Sequence, residues 1–570
     1  MTWILPLLLI VPLGTAALLA AGLPGSVRAA GGARLLTLCA MAATAVLAAF
    51  AATQVDPAVT TPQLGGSIAW ASALGLDLSY GIDGLSMWLM LLLVILPPVA
   101  VLLWSGGGSA RAAFTTARQV HRETGDPATD VDRPAGDAGS RHVYAWLLVL
   151  QACMLGTAVA TDALLFYATF ELTLLPTLLL IRRHGVGDWR RRAAAARAYF
   201  FFNFTGSLLT LAAILYVAAA HQSAFGVWSF HIPDLYNVAG RLSDTEQAWL
   251  AVGFLAGFGL KTPLFPLHGW LPMTHGATPA SGALDVAALV LKLGPYALLK
   301  FMVPLCAGGI ALLAPILGTL AAAGILYAGI VGWVQRDAKK LLAYSSVSHM
   351  GFVLLGLFAL DADTAGTSGA MMYVIAYAAS AGGLFACVGI LETRFGTRSL
   401  RELGGVARQM PVLACFMVLF AMAAVGLPGL SGFPGEFLTM LGAADGVTGT
   451  LGPGFAAAAV LGVILAAMYL LRMVGGLLFG PAHTPAERRR DRRAGDLTST
   501  EITALAPLAF LCLMLGFFPN LALQPITPAV AAMQGVQDPV ITTTTTATAT
   551  INDTDTPIGA TASAVRMPAH

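Results

Sequence analysis

Apolar residues run along this chain in blocks of about twenty, longer than strands and without the polar stripe of a surface helix. Fourteen such blocks can be drawn in the 570 residues. Their limits are 2–21, 33–52, 82–104, 142–160, 162–181, 196–220, 247–268, 281–302, 307–334, 339–360, 369–392, 410–440, 452–479 and 501–523. Gly and Pro interrupt two of them, 247–268 and 410–440. The pattern predicts an all-α polytopic membrane protein with about fourteen transmembrane helices, since a spanning helix needs roughly 20 apolar residues.

The polar connectors fix a topology. Lys and Arg collect in cytoplasmic loops. Taking alternate loops from the first, that set holds 25 of the 31 Lys and Arg, and the opposite loops with the tail hold only Arg241 and Arg566. A miscounted helix would scramble this alternation. Both termini are expected outside, in the periplasm or the extracellular space, and the chain in the cell (inner) membrane. The first block lacks a basic stretch before it, so it reads as a retained helix and not as a signal peptide.

The blocks divide the chain into three N-terminal helices (1–104), a polar cytoplasmic loop (105–141), five helices (142–302) and five more (307–479). A basic loop with the last helix (480–523) and a Thr-rich tail (524–570) complete it. The loop and tail read as flexible polar segments. A five-helix unit followed by another places the second upside down relative to the first, and each has its broken helix in fourth position. Paired interruptions of this kind point to inverted repeats around a midplane site.

Composition narrows the chemistry. Residues are 57% hydrophobic and 11% charged, with net charge +2, so no field points to nucleic acid. The six cysteines lie in apolar segments without C-x-x-C spacing, which argues against iron–sulfur clusters, structural zinc and disulfides. No Gly-rich nucleotide loop occurs. His268 and His275 lack a third ligand, so no metal site is expected.

The informative residues are the ionisable ones within the blocks, each costing at least ~2.5–3.5 kcal/mol at a helix centre. Five stand out: Glu171 in "LLFYATFELTLLP", Lys261 in "GLKTPLFPLHGWLP", Lys292 in "LDVAALVLK", His349 in "AYSSVSHMGF" and Glu436 in "GLPGLSGFPGEF". They come from five different segments, and each broken helix carries one. A lysine releases a proton near neutral pH only where burial opposes its charge, and a neighbouring carboxylate restores it. Moving a carboxylate relative to a buried lysine therefore loads and unloads a proton. Static alternatives stay open: a Glu171–Lys261 bridge that fixes packing, a hydrogen-bonded core histidine at 349, and an Asp83 that caps a helix. Lys300 and Arg472, near segment ends, read as snorkelling residues. Asp285, two helical turns before Lys292, either tunes that lysine or marks a helix start.

The quoted motifs, with "YGIDGLS", "FELTLLP" and "QRDAKKLLAYSSVSHMGF", resemble the antiporter-like membrane subunits of respiratory complex I, the proton-translocating NADH–quinone oxidoreductase. The resemblance runs from about residue 80 to 520. "LDVAALVLK" and Glu436 are most like the chain M type. It implies two inverted five-helix repeats and a relay of Glu171 (coupling), Lys261 (first broken helix), Lys292 and His349 (central axis) and Glu436 (exit). It also implies that NADH, FMN, iron–sulfur clusters and quinone belong to partner subunits, and that neighbouring antiporter-like subunits and the lipid bilayer are this chain's partners. The sequence departs from the family's usual pattern at Met273, where "LPMTH" replaces "LPDAH", and at Tyr377, where most members carry histidine. Asp83, Asp285, Tyr377 and Arg472 are possible tuning residues. Sodium/proton antiporter subunits and hydrogenase-complex membrane subunits share these motifs, and a spacer that has lost pumping is a further reading.

Overall fold

The computed structural model describes residues 3–21, 30–71, 75–104, 137–279, 281–283, 285, 292–445, 447, 449–481 and 495–535. Most of the polar loop 105–141, the basic stretch at 488–493 and the Thr-rich tail from 536 on lie outside the described residues.

Helices α1 (Ile4–Ala21), α2 (Ala30–Ala52) and α3 (Gly84–Leu103) form the N-terminal group. The next group begins with α4 (Asp137–Val159), α5 (Ala163–Leu172), α6 (Leu174–His184) and α7 (Trp189–Phe225). It continues through α8 (Ile232–Tyr236), α9 (Asp244–Phe254), α10 (Trp270–His275), α11 (Leu293–Ala297) and α12 (Val303–Leu305). The third group holds α13 (Ala307–Val334), α14 (Ala338–Ala359), α15 (Ala365–Phe395), α16 (Pro411–Val425), α17 (Gly432–Ala444) and α18 (Pro453–Leu478). Helices α19 (Ser499–Phe517) and α20 (Asn520–Gly535) close the described chain.

Eleven helices among the described residues are long and apolar enough to cross a membrane. The three expected segments that fall short are 247–268, 281–302 and 410–440, the two broken ones and one only partly within the described residues. The first break follows a π-helical turn, Leu255–Gly259, and separates α9 from α10. Pro263 and Pro266 cannot donate to a helical ladder. The carbonyl of Leu260 is taken instead by the Trp270 indole, 3.2 Å away, so the tryptophan of the motif closes the break it follows. The second break, 426–431, separates α16 from α17.

The central apolar stretch of helix α15 is entirely buried and that of α14 almost so. The surrounding helices turn apolar side chains outward, among them Phe201, Leu209, Leu312, Ile464 and Phe510. Bilayer hydrocarbon is a suitable neighbour for such faces, and the two enclosed helices carry the polar interior.

Two departures from the expected elements have local causes. Strands β1 (Gln63–Ala71) and β2 (Leu76–Ile82) pair antiparallel. Leu76, Leu78, Tyr80 and Ile82 alternate with polar or small residues, the period of a strand. Helix α20 also continues to Gly535, past the limit of 524 placed on the tail. Ala522, Ile526, Ala529, Val530 and Met533 recur at helical spacing and are buried. Gln534 Nε2 then donates to Thr367 Oγ1 at 2.8 Å, tying the helix end to α15.

Candidate functional site

The first group of ionisable residues meets at the first break. Lys261 is 2% exposed. Its Nζ donates to the Phe170 carbonyl at 2.7 Å and to Thr173 Oγ1 at 3.4 Å, and lies 3.6 Å from Glu171 Oε1. That carbonyl is available because the helix of segment 162–181 is interrupted at Thr173, between α5 and α6. The ammonium also sits 3.4 Å from the Phe170 ring centroid, a cation–π contact. Among the described residues neither carboxylate oxygen of Glu171 has a hydrogen-bond partner. The ion pair is therefore loose on the acid side and tight on the lysine side.

Lys292 is fully buried. Its contacts are Met350 Sδ at 3.9 Å and the Tyr377 ring, whose centroid is 4.2 Å from Nζ. No carboxylate stands within ion-pairing distance of it among the described residues. A cation held by a thioether and an aromatic face is costly to keep charged, since little replaces its hydration.

From Tyr377 a line of hydroxyls continues. The Tyr377 hydroxyl is 3.1 Å from Ser346 Oγ and donates to Ser345 Oγ at 3.5 Å. Ser345 Oγ also accepts from Tyr469 at 3.1 Å, and the Tyr469 hydroxyl lies 3.1 Å from His349 Nε2. On the other side of the imidazole, His349 Nδ1 is 2.5 Å from the Tyr373 hydroxyl. Tyr373 in turn donates to Glu436 Oε1. With the Tyr373 proton on the carboxylate side, Nδ1 must be the donor to the phenol oxygen. Imidazole and hydroxyls can each accept a proton on one side and release one on the other, so this line can conduct protons.

Glu436 sits in the first turns of α17 with its carboxylate against Gly426, the left-handed C-cap of α16. A methyl group on Gly426 would stand 2.1 Å from Glu436 Oε2. The second break thus seats the acid as the first seats the lysine.

The remaining sequence candidates have other neighbours. Asp83 caps α3, accepting from Ser86 N at 2.7 Å and Leu85 N at 3.1 Å in a reciprocal box with Ser86. Arg472 is exposed. Asp285 does not meet Lys292. It is buried against His275 Nδ1, 2.8 Å from Oδ1, and Lys339 Nζ, 3.1 Å from Oδ2. Lys300 does not snorkel: it is 4% exposed and donates to the Ala160 carbonyl at 3.1 Å and the Tyr296 hydroxyl at 3.0 Å. A polar cage inside the protein satisfies its ammonium better than the short reach from segment 281–302 to water. Met273 is 51% exposed, away from all these contacts.

Sequence reasoning passed over Tyr373, Tyr469 and Lys339. The tyrosines read as ordinary members of apolar runs; the available signal was that a phenol in a membrane needs a hydrogen-bond partner. Lys339 reads as a loop cation, yet Asp337 caps α14 by accepting from Lys339 N at 3.0 Å, which puts the lysine in the first helical turn. Among the described residues no group of three His, Cys, Asp or Glu is arranged to hold a metal ion.

Residues 160–470 match the sequence profile described as NADH:quinone oxidoreductase/Mrp antiporter, TM. The NADH-quinone oxidoreductase subunit M of Rhodobacter capsulatus is 34% identical over 534 residues, covering 93% of this chain and 96% of that protein. The protein of that name from Mycobacterium tuberculosis (strain ATCC 25618 / H37Rv) is 34% identical over 537 residues, covering 92% of this chain and 93% of its own length. Among solved structures, a chain of respiratory complex I from Thermus thermophilus with bound NADH superposes with TM-score 0.76 at 29% identity, over 93% of this chain and 100% of that one. A chain of the Mrp complex from Dietzia sp. DQ12-45-1b shares the fold, with TM-score 0.72 at 20% identity over 95% of this chain and 98% of that one. With the broken helices, the buried lysines and the profile match in the same stretch, this chain belongs to the NADH:quinone oxidoreductase/Mrp antiporter transmembrane family and is of its antiporter-like, subunit M type.

Proposed function

We propose that this chain moves protons across the cell membrane as an antiporter-like subunit of an NADH–quinone oxidoreductase. The observation that carries the reading is the chain of buried polar contacts from Lys292 and Tyr377 through Ser345, Tyr469, His349 and Tyr373 to Glu436. A structural core has little use for an uninterrupted run of such groups, each expensive to bury. The Glu171–Lys261 pair is the input. When a charge outside the chain draws Glu171 away, Lys261 loses its carboxylate and a proton leaves it for the central line. When Glu171 returns, Lys261 takes up another. The proton travels by way of Lys292 and His349 and departs at Glu436.

Transport against a membrane potential costs about 2.3 kcal/mol per charge per 100 mV. That energy comes from redox chemistry in other subunits, which hold NADH, FMN, iron–sulfur clusters and quinone. Neighbouring antiporter-like subunits deliver it through Glu171. The names of the relatives that match along almost the whole chain support this assignment over a sodium/proton antiporter.

The test is Glu171→Ala and Lys261→Ala in the assembled complex, in inverted membrane vesicles. NADH-driven proton uptake and quinone reductase activity should both drop by at least about tenfold, since a positioned proton-transfer group typically contributes ~10²–10⁴-fold. Wild-type rates in both variants would show a static bridge and end the relay reading.

A further inference from the structure

A second cluster of buried charges lies outside this line, on the face that bears the basic loops. Lys339 is fully buried at the start of α14. It is 3.1 Å from Asp285 Oδ2 and 3.0 Å from Glu392 Oε2, and donates to the Pro279 carbonyl at 2.7 Å. His275, at the end of α10, shares Asp285 with it: Nδ1 is 2.8 Å from Oδ1, which also accepts from Thr278 Oγ1 at 2.6 Å. Glu392, at the end of α15, is 3.4 Å from Arg398 NH1, and Arg398 pairs with Asp337 at 2.8 Å. Arg398 NH2 also donates to the Gly276 carbonyl at 2.8 Å, holding the turn that follows His275. The His275 ring stacks on Phe385 with centroids 4.7 Å apart. Two further cations flank this turn: Lys340 from α14 beside Gly276, and Arg192 from α7 beside Gly185, whose neighbour Val186 donates to the Ala277 carbonyl at 2.9 Å.

Exposure falls in order through the cluster. The Asp337 side chain is 26% exposed, Glu392 and Arg398 are 12%, and His275 and Asp285 are 2% and 0%. The contacts therefore form a graded path from the basic-loop surface to a buried end. Charge within it is unequal. Among the described residues, Asp285, Glu392 and Asp337 are ion-paired to two cations, Lys339 and Arg398, and a protonated His275 would supply a third. Histidine is the one member whose unperturbed titration falls near neutral pH. With Nδ1–H given to Asp285, the free position for an arriving proton is Nε2.

We propose that His275, seated on Asp285, is a proton-loading site that takes protons from the basic-loop face and supplies them to the central line. The step forms an Nε2–H bond from a solvent proton and breaks it when the proton moves on, with no other reactant. Asp285 is a positioning residue that fixes the ring. Lys339 and Arg398 hold the carboxylates in place. The inference rests on the relay reading above.

The test uses the complete complex in inverted vesicles. His275→Asn keeps a donor for Asp285 but cannot be protonated. Protons taken up per NADH oxidised should fall at least about threefold in H275N, a modest bound beside the ~10²–10⁴-fold that a positioned acid–base group contributes. The pH profile of pumping should change as well, since one proton-accepting group is gone. A clamp of purely structural use would move neither quantity. Should H275N not assemble, Glu392→Gln, which keeps an acceptor for Lys339, carries the same test with the same expected fall. Wild-type proton uptake and pH profile in the assembled variant would overturn the proposal. If E171A abolishes pumping while H275N does not, the loading site is wrong and the relay stands. If neither variant affects pumping, both fall.

Discussion

A phenol in the middle of a membrane needs a partner, and Tyr373 has two, the His349 imidazole and the Glu436 carboxylate. His349 and Glu436 also approach directly, Nδ1 to Oε1 at 3.5 Å, but the hydroxyl lies between them as the better conductor. Tyr373→Phe keeps the ring, and with it the packing against Phe352 and Tyr377, and deletes only the hydroxyl. Proton uptake by vesicles should then fall at least about tenfold, with complex assembly unchanged. Unimpaired uptake in Y373F would mean that His349 passes its proton to Glu436 directly, and that the tyrosine only packs. Tyr377 is a different case. Its ring faces the Lys292 ammonium and its centroid lies 4.6 Å from that of His349. A phenol stands here in place of the histidine the family pattern leads one to expect, so this position offers a hydrogen bond and a π face in place of a titrating group.

The elements explain why these residues meet. In the first five-helix unit the second helix, α5 continuing into α6, carries Glu171, and the broken helix carries Lys261. In the second unit the second helix, α14, carries His349, and the broken helix carries Glu436. The two pairs thus occupy matching places with acid and base exchanged. Each depends on the break, because an unbroken helix would leave no space beside it for a charge. Gly426 is the most exacting point of the second break. Its φ is +79°, where a side chain is strained, and a methyl there would meet the Glu436 carboxylate. Gly426→Ala should cost roughly 1–2 kcal/mol from backbone strain alone and displace the acid, lowering both the melting temperature of the complex and its pumping. Gly475→Ala on α18 meets nothing within 4 Å and serves as the control. Equal behaviour of the two variants would remove the seat assigned to Glu436. The breaks and the five ionisable residues were legible in the sequence because a charge or a proline contrasts with an apolar run. The hydroxyl line and the Lys339 cluster were not. Tyr373 and Tyr469 are camouflaged by apolar neighbours, and Lys339 by a basic loop. Their partners lie 24 to 124 residues away along the chain, so only the folded packing of α14, α15 and α18 joins them.

At the scale of the whole molecule, the same imbalance of Lys and Arg that ordered the loops also assigns direction to the path. The His275–Glu392 cluster opens on the side of the basic loops. Glu436 lies in α17, which runs from the second break toward the loop at 445–452 on the opposite side. If the basic loops are cytoplasmic, protons load from the cytoplasm and leave outside, the direction an energy-conserving complex requires. The assignment can be tested on either side of one broken segment. Arg401 is exposed in the basic loop before α16, and Val447 is 95% exposed in the loop after α17. With the exposed Cys39 and Cys415 first replaced by serine, a single cysteine is placed at 401 or at 447. A membrane-impermeant maleimide should label the Val447→Cys variant in right-side-out vesicles and the Arg401→Cys variant only in inside-out ones. Labelling of both from one side would mean that α16 and α17 together do not cross the membrane, and the alternation of charged loops would lose its meaning at that point. The reverse pattern would leave the helices as they are but invert the chain, and protons loaded at His275 would then enter from outside.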